Sequence, residues 1–121
     1  MNNEIEKIIS KLKNNKKVVA VYIFGSYAKG NQKPLSDIDL AVILKEIDPE
    51  IEAEIGSMYS REIDLVLFHR LPLHIKYEVF RHGKPLFIND ENYLKNLQFK
   101  IMREYLETSW LYSRIKNRLK Q

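Results

Sequence analysis

Two aspartates two residues apart, Asp37 and Asp39, stand at the start of an apolar run that ends at Leu44. On a strand, alternate residues share a face, so the two carboxylates are expected side by side. Carboxylates this close repel unless a cation sits between them. Mg²⁺ is a hard cation that takes one or two carboxylates together with substrate phosphates, and a pair of such ions can clamp both oxygens of an in-line displacement. Upstream, a second apolar run, Val18 to Phe24, breaks at Gly25-Ser26, and a polar loop with Gly30, Asn31 and Pro34 follows. Glycine lets backbone approach a ligand, serine adds a hydroxyl, and a following helix N-terminus attracts anions. These residues suit metal-dependent phosphoryl or nucleotidyl transfer. A strand-start turn capped by Ser36 and Asp37 would account for Asp37 but not for Asp39, because an aspartate inside a strand runs against propensity.

A third acid interrupts another apolar stretch. Residues 61–68, Arg-Glu-Ile-Asp-Leu-Val-Leu-Phe, read as a strand with Asp64 inside it. A buried, isolated carboxylate is costly unless paired or metal-bound. If this strand lies beside the one carrying Asp39, Asp64 completes a carboxylate triad. Glu62 shares its face by parity and is the competing candidate, placed at the strand's exposed start.

Gly25-Ser26, ten intervening residues and Asp37-x-Asp39 together resemble the signature of the DNA-polymerase-β-like nucleotidyltransferase superfamily. The wording Phe24-Gly25-Ser26-Tyr27-Ala28-Lys29-Gly30 is similar to its minimal nucleotidyltransferase branch, whose members often act as antitoxins beside a HEPN-domain toxin. The resemblance is strong over residues 18–68. It implies ATP as substrate, Mg²⁺ (one or two ions) at Asp37, Asp39 and Asp64, and a nucleotide phosphate against Gly25, Ser26 and Lys29. Asp64 matches the family's third acid, as metal ligand and activator of the attacking hydroxyl. The implied acceptor is a tyrosine of the HEPN toxin, which adenylylation would silence.

Around these residues the chain alternates helix and strand. Residues 1–14 read as a helix with Ile5, Ile8, Ile9 and Leu12 at helical spacing. Strands follow at 17–24 and 36–44, with a short helix from Ser26 to Lys29 between them. Asp48-Pro49 opens a helix as N-cap and first-turn proline, with Ile51, Ile55 and Met58 inward and the acids at 50, 52 and 54 as a solvated face. A helix spans residues 72–82 and stops at Gly83, and a last strand covers 84–88. His69, His74 and His82 share no ligand spacing, and His69 reads as a surface residue. Residues 92–119 form a long helix. Its stripe of Leu94, Leu97, Ile101, Tyr105, Tyr112, Ile115 and Leu119 is widened by Met102, Leu106 and Trp110, a width typical of core. At 1.5 Å per residue it would run roughly 42 Å, so part of it should overhang. Packing on its own sheet and docking a partner through Trp110, Leu111 and Tyr112 both remain open for this helix.

The order predicts an α+β fold: a small mixed sheet with helices packed on one face, palm-like, with a long C-terminal helix. One domain, residues 1–121 with its core at 17–88, is expected. The chain has 121 residues and no cysteine, which removes disulfides and cysteine-based zinc sites. The polar N-terminus is unlike a signal peptide, and the apolar runs are too short to span a bilayer, so a cytoplasmic protein is expected. The net charge of +4 is uneven. Residues 92–121 hold seven bases and two acids, +5, leaving 13 bases and 14 acids, −1, in residues 1–91. An acidic protein partner would suit that excess; so would a solvated helix face. Direct nucleic-acid binding would leave the carboxylates unexplained. Two alternatives to adenylyl transfer stand beside it. One is a non-catalytic antitoxin that neutralises its partner by occlusion. The other is a small-molecule transferase of the aminoglycoside-modifying type, disfavoured because no second domain holds the acceptor.

Overall fold

The computed structural model describes residues 3–25, 38–58 and 60–119. Strands β1 (Val18–Phe24), β2 (Ile38–Leu44), β3 (Ile63–Leu67) and β4 (Lys84–Ile88) form one mixed sheet in the order β3-β2-β1-β4. β1 pairs antiparallel with β2 and β4, and β2 pairs parallel with β3. Parallel neighbours need a crossover, and helix α2 (Pro49–Gly56) supplies it. α2 begins as expected: Asp48 accepts the Glu50 N–H at 2.9 Å, with Pro49 in the first turn.

The remaining helices are α1 (Asn3–Lys13), α3 (Leu73–His82) and α4 (Glu91–Leu119), and Phe68–Arg70 form a single 3₁₀ turn after β3. The mixed sheet and the long C-terminal helix are as the sequence predicts. The helices, however, cover both faces of the sheet rather than one. Leu40, Val42 and Leu44 pack with Ile5, Ile8 and Leu12 of α1 and Ile51 and Ile55 of α2. Ala41 and Ile43, pointing the other way, pack with Phe68, Val79 of α3, and Leu94 and Ile101 of α4. β1 serves both layers, Val18 and Val21 on the first and Val19, Ala20 and Tyr22 on the second. Each buried Val or Leu contributes about 1.5–3 kcal/mol, so the strand with no solvent face anchors the molecule.

α4 starts at a built cap. The Tyr93 N–H donates to Asp90 Oδ1 at 3.0 Å, and Lys45 pairs with Asp90 Oδ2 at 3.3 Å. Gln98 Nε2 donates to the Tyr22 hydroxyl at 3.2 Å, tying α4 to β1. Tyr105 stacks on Tyr77 of α3 with ring centroids 3.8 Å apart. Beyond Tyr105 the large apolar residues are exposed: Leu106, Trp110, Leu111, Tyr112 and Ile115. The helix does overhang. Met102, Leu106 and Trp110, read from sequence as widening the core stripe, are exposed instead. Among the described residues, no helix is long and apolar enough to cross a membrane.

Candidate functional site

The acidic end of β2 meets the acidic end of β3. Their parallel register sets Asp39 opposite Asp64, with Ile38 opposite Ile63 and Leu40 opposite Leu65. Residues opposed in this way stand on one face, on strands about 4.8 Å apart. The face is that of α3 and α4, shared with Phe24, Ala41, Ile43 and Val66. It is apolar through the core and turns acidic at its end. The Ile38 N–H donates to the Glu62 carbonyl at 2.8 Å and extends the ladder by one residue. Glu62 therefore falls before the register pair, and Asp64 is the acid across from Asp39.

β1 closes the site from the other side. Phe24 pairs with Asp39, and Gly25 follows with φ +76°. A β-carbon on Gly25 would lie 2.6 Å from Asp39 Oδ2. The Asp39 carboxylate thus rests against bare backbone, in a space that only glycine leaves open. Asp39 is half-buried.

Asp64 is exposed, contrary to the expectation of a buried carboxylate. Among the described residues β3 is the edge strand of the sheet, and Asp64 reaches solvent while its backbone completes the ladder. Of the six residues the sequence singles out, Gly25, Asp39 and Asp64 are brought together. Ser26, Lys29 and Asp37 lie outside the described residues, as does the short helix expected from Ser26 to Lys29. Among the described residues no three acids or histidines gather as a metal cluster; the expected triad includes Asp37 and is not tested by that.

A second charged cluster was invisible in the sequence. Glu52, expected on a solvated face of α2, is largely covered. Its Oε1 lies 2.7 Å from His69 Nε2, and Arg70 donates through Nε and Nη2 to its two oxygens at 3.0 and 3.1 Å. The Arg70 guanidinium, then the His69 ring, hold the Glu52 carboxyl below its ordinary range. His69 is thus half-buried against α2, not a free surface residue. The partners are 17 and 18 residues apart, and no local pattern signals them. The cluster fastens α2 to the far end of β3, away from Asp39.

Residues 6–92 match the family model described as "Polymerase beta, Nucleotidyltransferase". The chain belongs to this nucleotidyltransferase family. The matched span holds the whole site and the sheet that builds it. The protein adenylyltransferase MntA of Shewanella oneidensis is 33% identical over 87 residues, 67% of this chain and 63% of that protein. A Methanocaldococcus jannaschii relative, provisionally assigned as a protein adenylyltransferase, is 34% identical over 71 residues, 59% of this chain and 57% of its own length. The chain therefore spans about three-fifths of these two relatives. Among solved structures, a toxin–antitoxin complex with AMP-PNP is 25% identical at a TM-score of 0.69, covering 98% of both chains. A complex of tri-AMPylated Shewanella oneidensis HEPN toxin with its MNT antitoxin shares the fold, at 22% identity and a TM-score of 0.61, over 98% of this chain and 95% of that one.

Proposed function

We propose that this chain is a metal-dependent protein adenylyltransferase that moves AMP from ATP to a tyrosine hydroxyl of a HEPN-domain toxin, and so acts as its antitoxin. The observation that carries the reading is Asp39 held in register with Asp64 and pressed against Gly25, within a nucleotidyltransferase family domain. Likeness to MntA and to a toxin–antitoxin complex with AMP-PNP supports the substrate and the setting. ATP and an intracellular toxin would place the reaction in the cytoplasm.

Carboxylate oxygens from two neighbouring strands fit a hard divalent cation such as Mg²⁺. Asp39 and Asp64 would hold it, with Asp37, two residues before Asp39. Bound there, the ion neutralises phosphate charge and makes the acceptor hydroxyl more acidic. Gly25, with Ser26 and Lys29 after it, would hold the phosphate tail. The acceptor oxygen attacks the α-phosphorus, the bond from that phosphorus to the bridging oxygen breaks, and pyrophosphate leaves with the electron pair. The hydroxyl proton passes to a carboxylate. Asp64 suits that role because it is exposed where a protein acceptor can reach it. The remaining contribution is positioning and charge complementarity.

The test is label transfer. The chain and a co-purified HEPN-domain protein are incubated with Mg²⁺ and ATP labelled at the α- or the γ-phosphate. Label on the partner from α- but not γ-labelled ATP, lost in Asp39→Asn, is the expected result. An intact complex with no transfer under Mg²⁺ or Mn²⁺ would overturn the enzymatic reading and leave occlusion.

A further inference from the structure

α4 carries two apolar faces. The inward one, Leu94, Leu97, Ile101 and Tyr105, packs against the domain. At about 100° per residue, Phe99, Met102, Leu106 and Trp110 fall within about 80° of arc centred about 135° from the inward face, with Met102 at the edge nearest the core. All four are exposed, Phe99 at 72% and Trp110 at 62%. Phe99 and Met102 interleave in sequence with the buried Ile101. This stripe is therefore not the core stripe running past its domain. Tyr112 and Ile115 do continue the core stripe; the outward stripe is a second face, turned away from the sheet. Large apolar residues spaced by three and four are how one helix packs on another.

The border of that face is basic. At the same roughly 100° per residue, Arg103 and Arg114 border one side of the stripe and Lys116 the other, Lys95 lies within it, and Glu91 and Glu107 are the acids alongside. The Arg114 guanidinium lies over the Trp110 ring, 4.9 Å from its centroid, and fixes a charge at the end of the stripe. Beside Met102, a cavity of about 240 Å³ lined by Tyr77, Phe80, Arg81, Gln98, Ile101 and Met102 opens between α3 and α4. It is continuous with the stripe and offers a slot for one large side chain.

We infer that the outward face of α4 docks an amphipathic helix of a protein partner whose apolar stripe is bordered by Asp and Glu. A second copy of this chain would set these bases against bases, so charge disfavours self-pairing. The inference deepens the proposed function and rests on that reading for the partner's identity; the surface itself stands on geometry.

Trp110 is the only tryptophan in the chain, so its emission reports on this face. The full chain is titrated with a synthetic amphipathic helix bearing leucine on one face and glutamate on its borders, and with its lysine-bordered twin. A saturable blue shift with the glutamate helix is expected, weakened by salt and at least tenfold weaker for the lysine twin. Leu106→Asp should weaken it tenfold or more, and Phe99→Asp likewise. Both sites are exposed, and circular dichroism checks that the variants fold. No saturable shift, or equal affinity for the two helices, overturns the inference. So does a concentration-dependent shift without peptide that accompanies a doubled mass, which would make a second copy the occupant. Asp39→Asn should bind as wild type does. Peptide binding without any label transfer breaks the catalytic reading alone; wild-type transfer by Leu106→Asp to a HEPN-domain protein breaks this one alone.

Discussion

Gly25 and Asp39 are in contact across two antiparallel strands, with Asp39 Oδ2 only 2.6 Å from where a β-carbon on Gly25 would stand. Gly25→Ala must therefore displace the carboxylate or the turn. It also forces alanine into φ +76°, a strain of about 1–2 kcal/mol. The expected result is a modest fall in melting temperature with a far larger fall in label transfer, about a hundredfold, because misplacing a reacting group by about 1 Å costs that much. Transfer rate and melting temperature, measured on one preparation, check it. Transfer within threefold of wild type would show that the contact does not position Asp39 for chemistry.

Asp39 and Asp64 should differ in what they do for the fold while agreeing in what they do for the site. Asp64 is exposed on an edge strand, so Asp64→Asn should leave ligand-free stability within about 0.5 kcal/mol. Both Asp64→Asn and Asp39→Asn should lower transfer by about a hundredfold or more. Bound ligand stabilises the native state by mass action. Wild type should melt several degrees higher with Mg²⁺ and AMP-PNP, and EDTA should abolish that rise. Neither variant should show it. A full ligand-induced rise in Asp64→Asn would remove Asp64 from the metal site.

Acid should loosen the joint between α2 and the end of β3. Arg70 and His69 depress the Glu52 carboxyl. A group with a lowered native pKa stabilises the fold above its unfolded value, and that contribution is lost as pH falls through the native one. The unfolded reference is 4.5, so the loss begins near there and continues below. Asp48, lowered by Lys17, and Asp90, lowered by the Tyr93 N–H and then Lys45, act with the same sign. Melting temperature followed from pH 7 to pH 3 should fall for wild type. Glu52→Gln should start lower at pH 7 and fall less steeply. Parallel profiles would mean the joint does not contribute.

What the sequence shows and hides follows from the range of the interactions. Acids that interrupt apolar strands are local signals, and Asp39 and Asp64 were legible for that reason. The Asp48-Pro49 start of α2 and the β4 limits were legible likewise. The two-sided cover of the sheet is written in β1, whose unbroken run Val18 to Phe24 is what a strand buried on both faces requires. The exposure of Asp64 depends on β3 being an edge, which strand order decides and no local pattern announces. Helical spacing alone places Met102, Leu106 and Trp110 beside the core stripe, although they turn progressively away from Ile101, Trp110 standing directly across the helix from it. Glu52, His69 and Arg70 meet only once the sheet has formed.

Two glycines outside the site should respond oppositely to alanine. Gly83 ends α3 at φ −72°, an ordinary conformation, so the left-handed cap expected of a helix-stopping glycine is not its role. Its constraint is space. An added β-carbon would collide with the Val79 carbonyl oxygen and lie 2.9 Å from that of Ile23. Both are backbone atoms, one in α3 and one in β1, and neither can rotate away. Gly83→Ala should destabilise by about 1–3 kcal/mol, as overpacking does. Gly56, in the last turn of α2, has nothing within 4 Å of its added β-carbon. There alanine relieves the backbone entropy of glycine in a helix, and Gly56→Ala should stabilise by up to about 1 kcal/mol. Urea titration of the two variants beside wild type reads both signs at once. A neutral Gly83→Ala would show that α3 and β1 can part at that point, and the packing that brings α3 onto the face carrying Asp39 would be looser than the structure indicates.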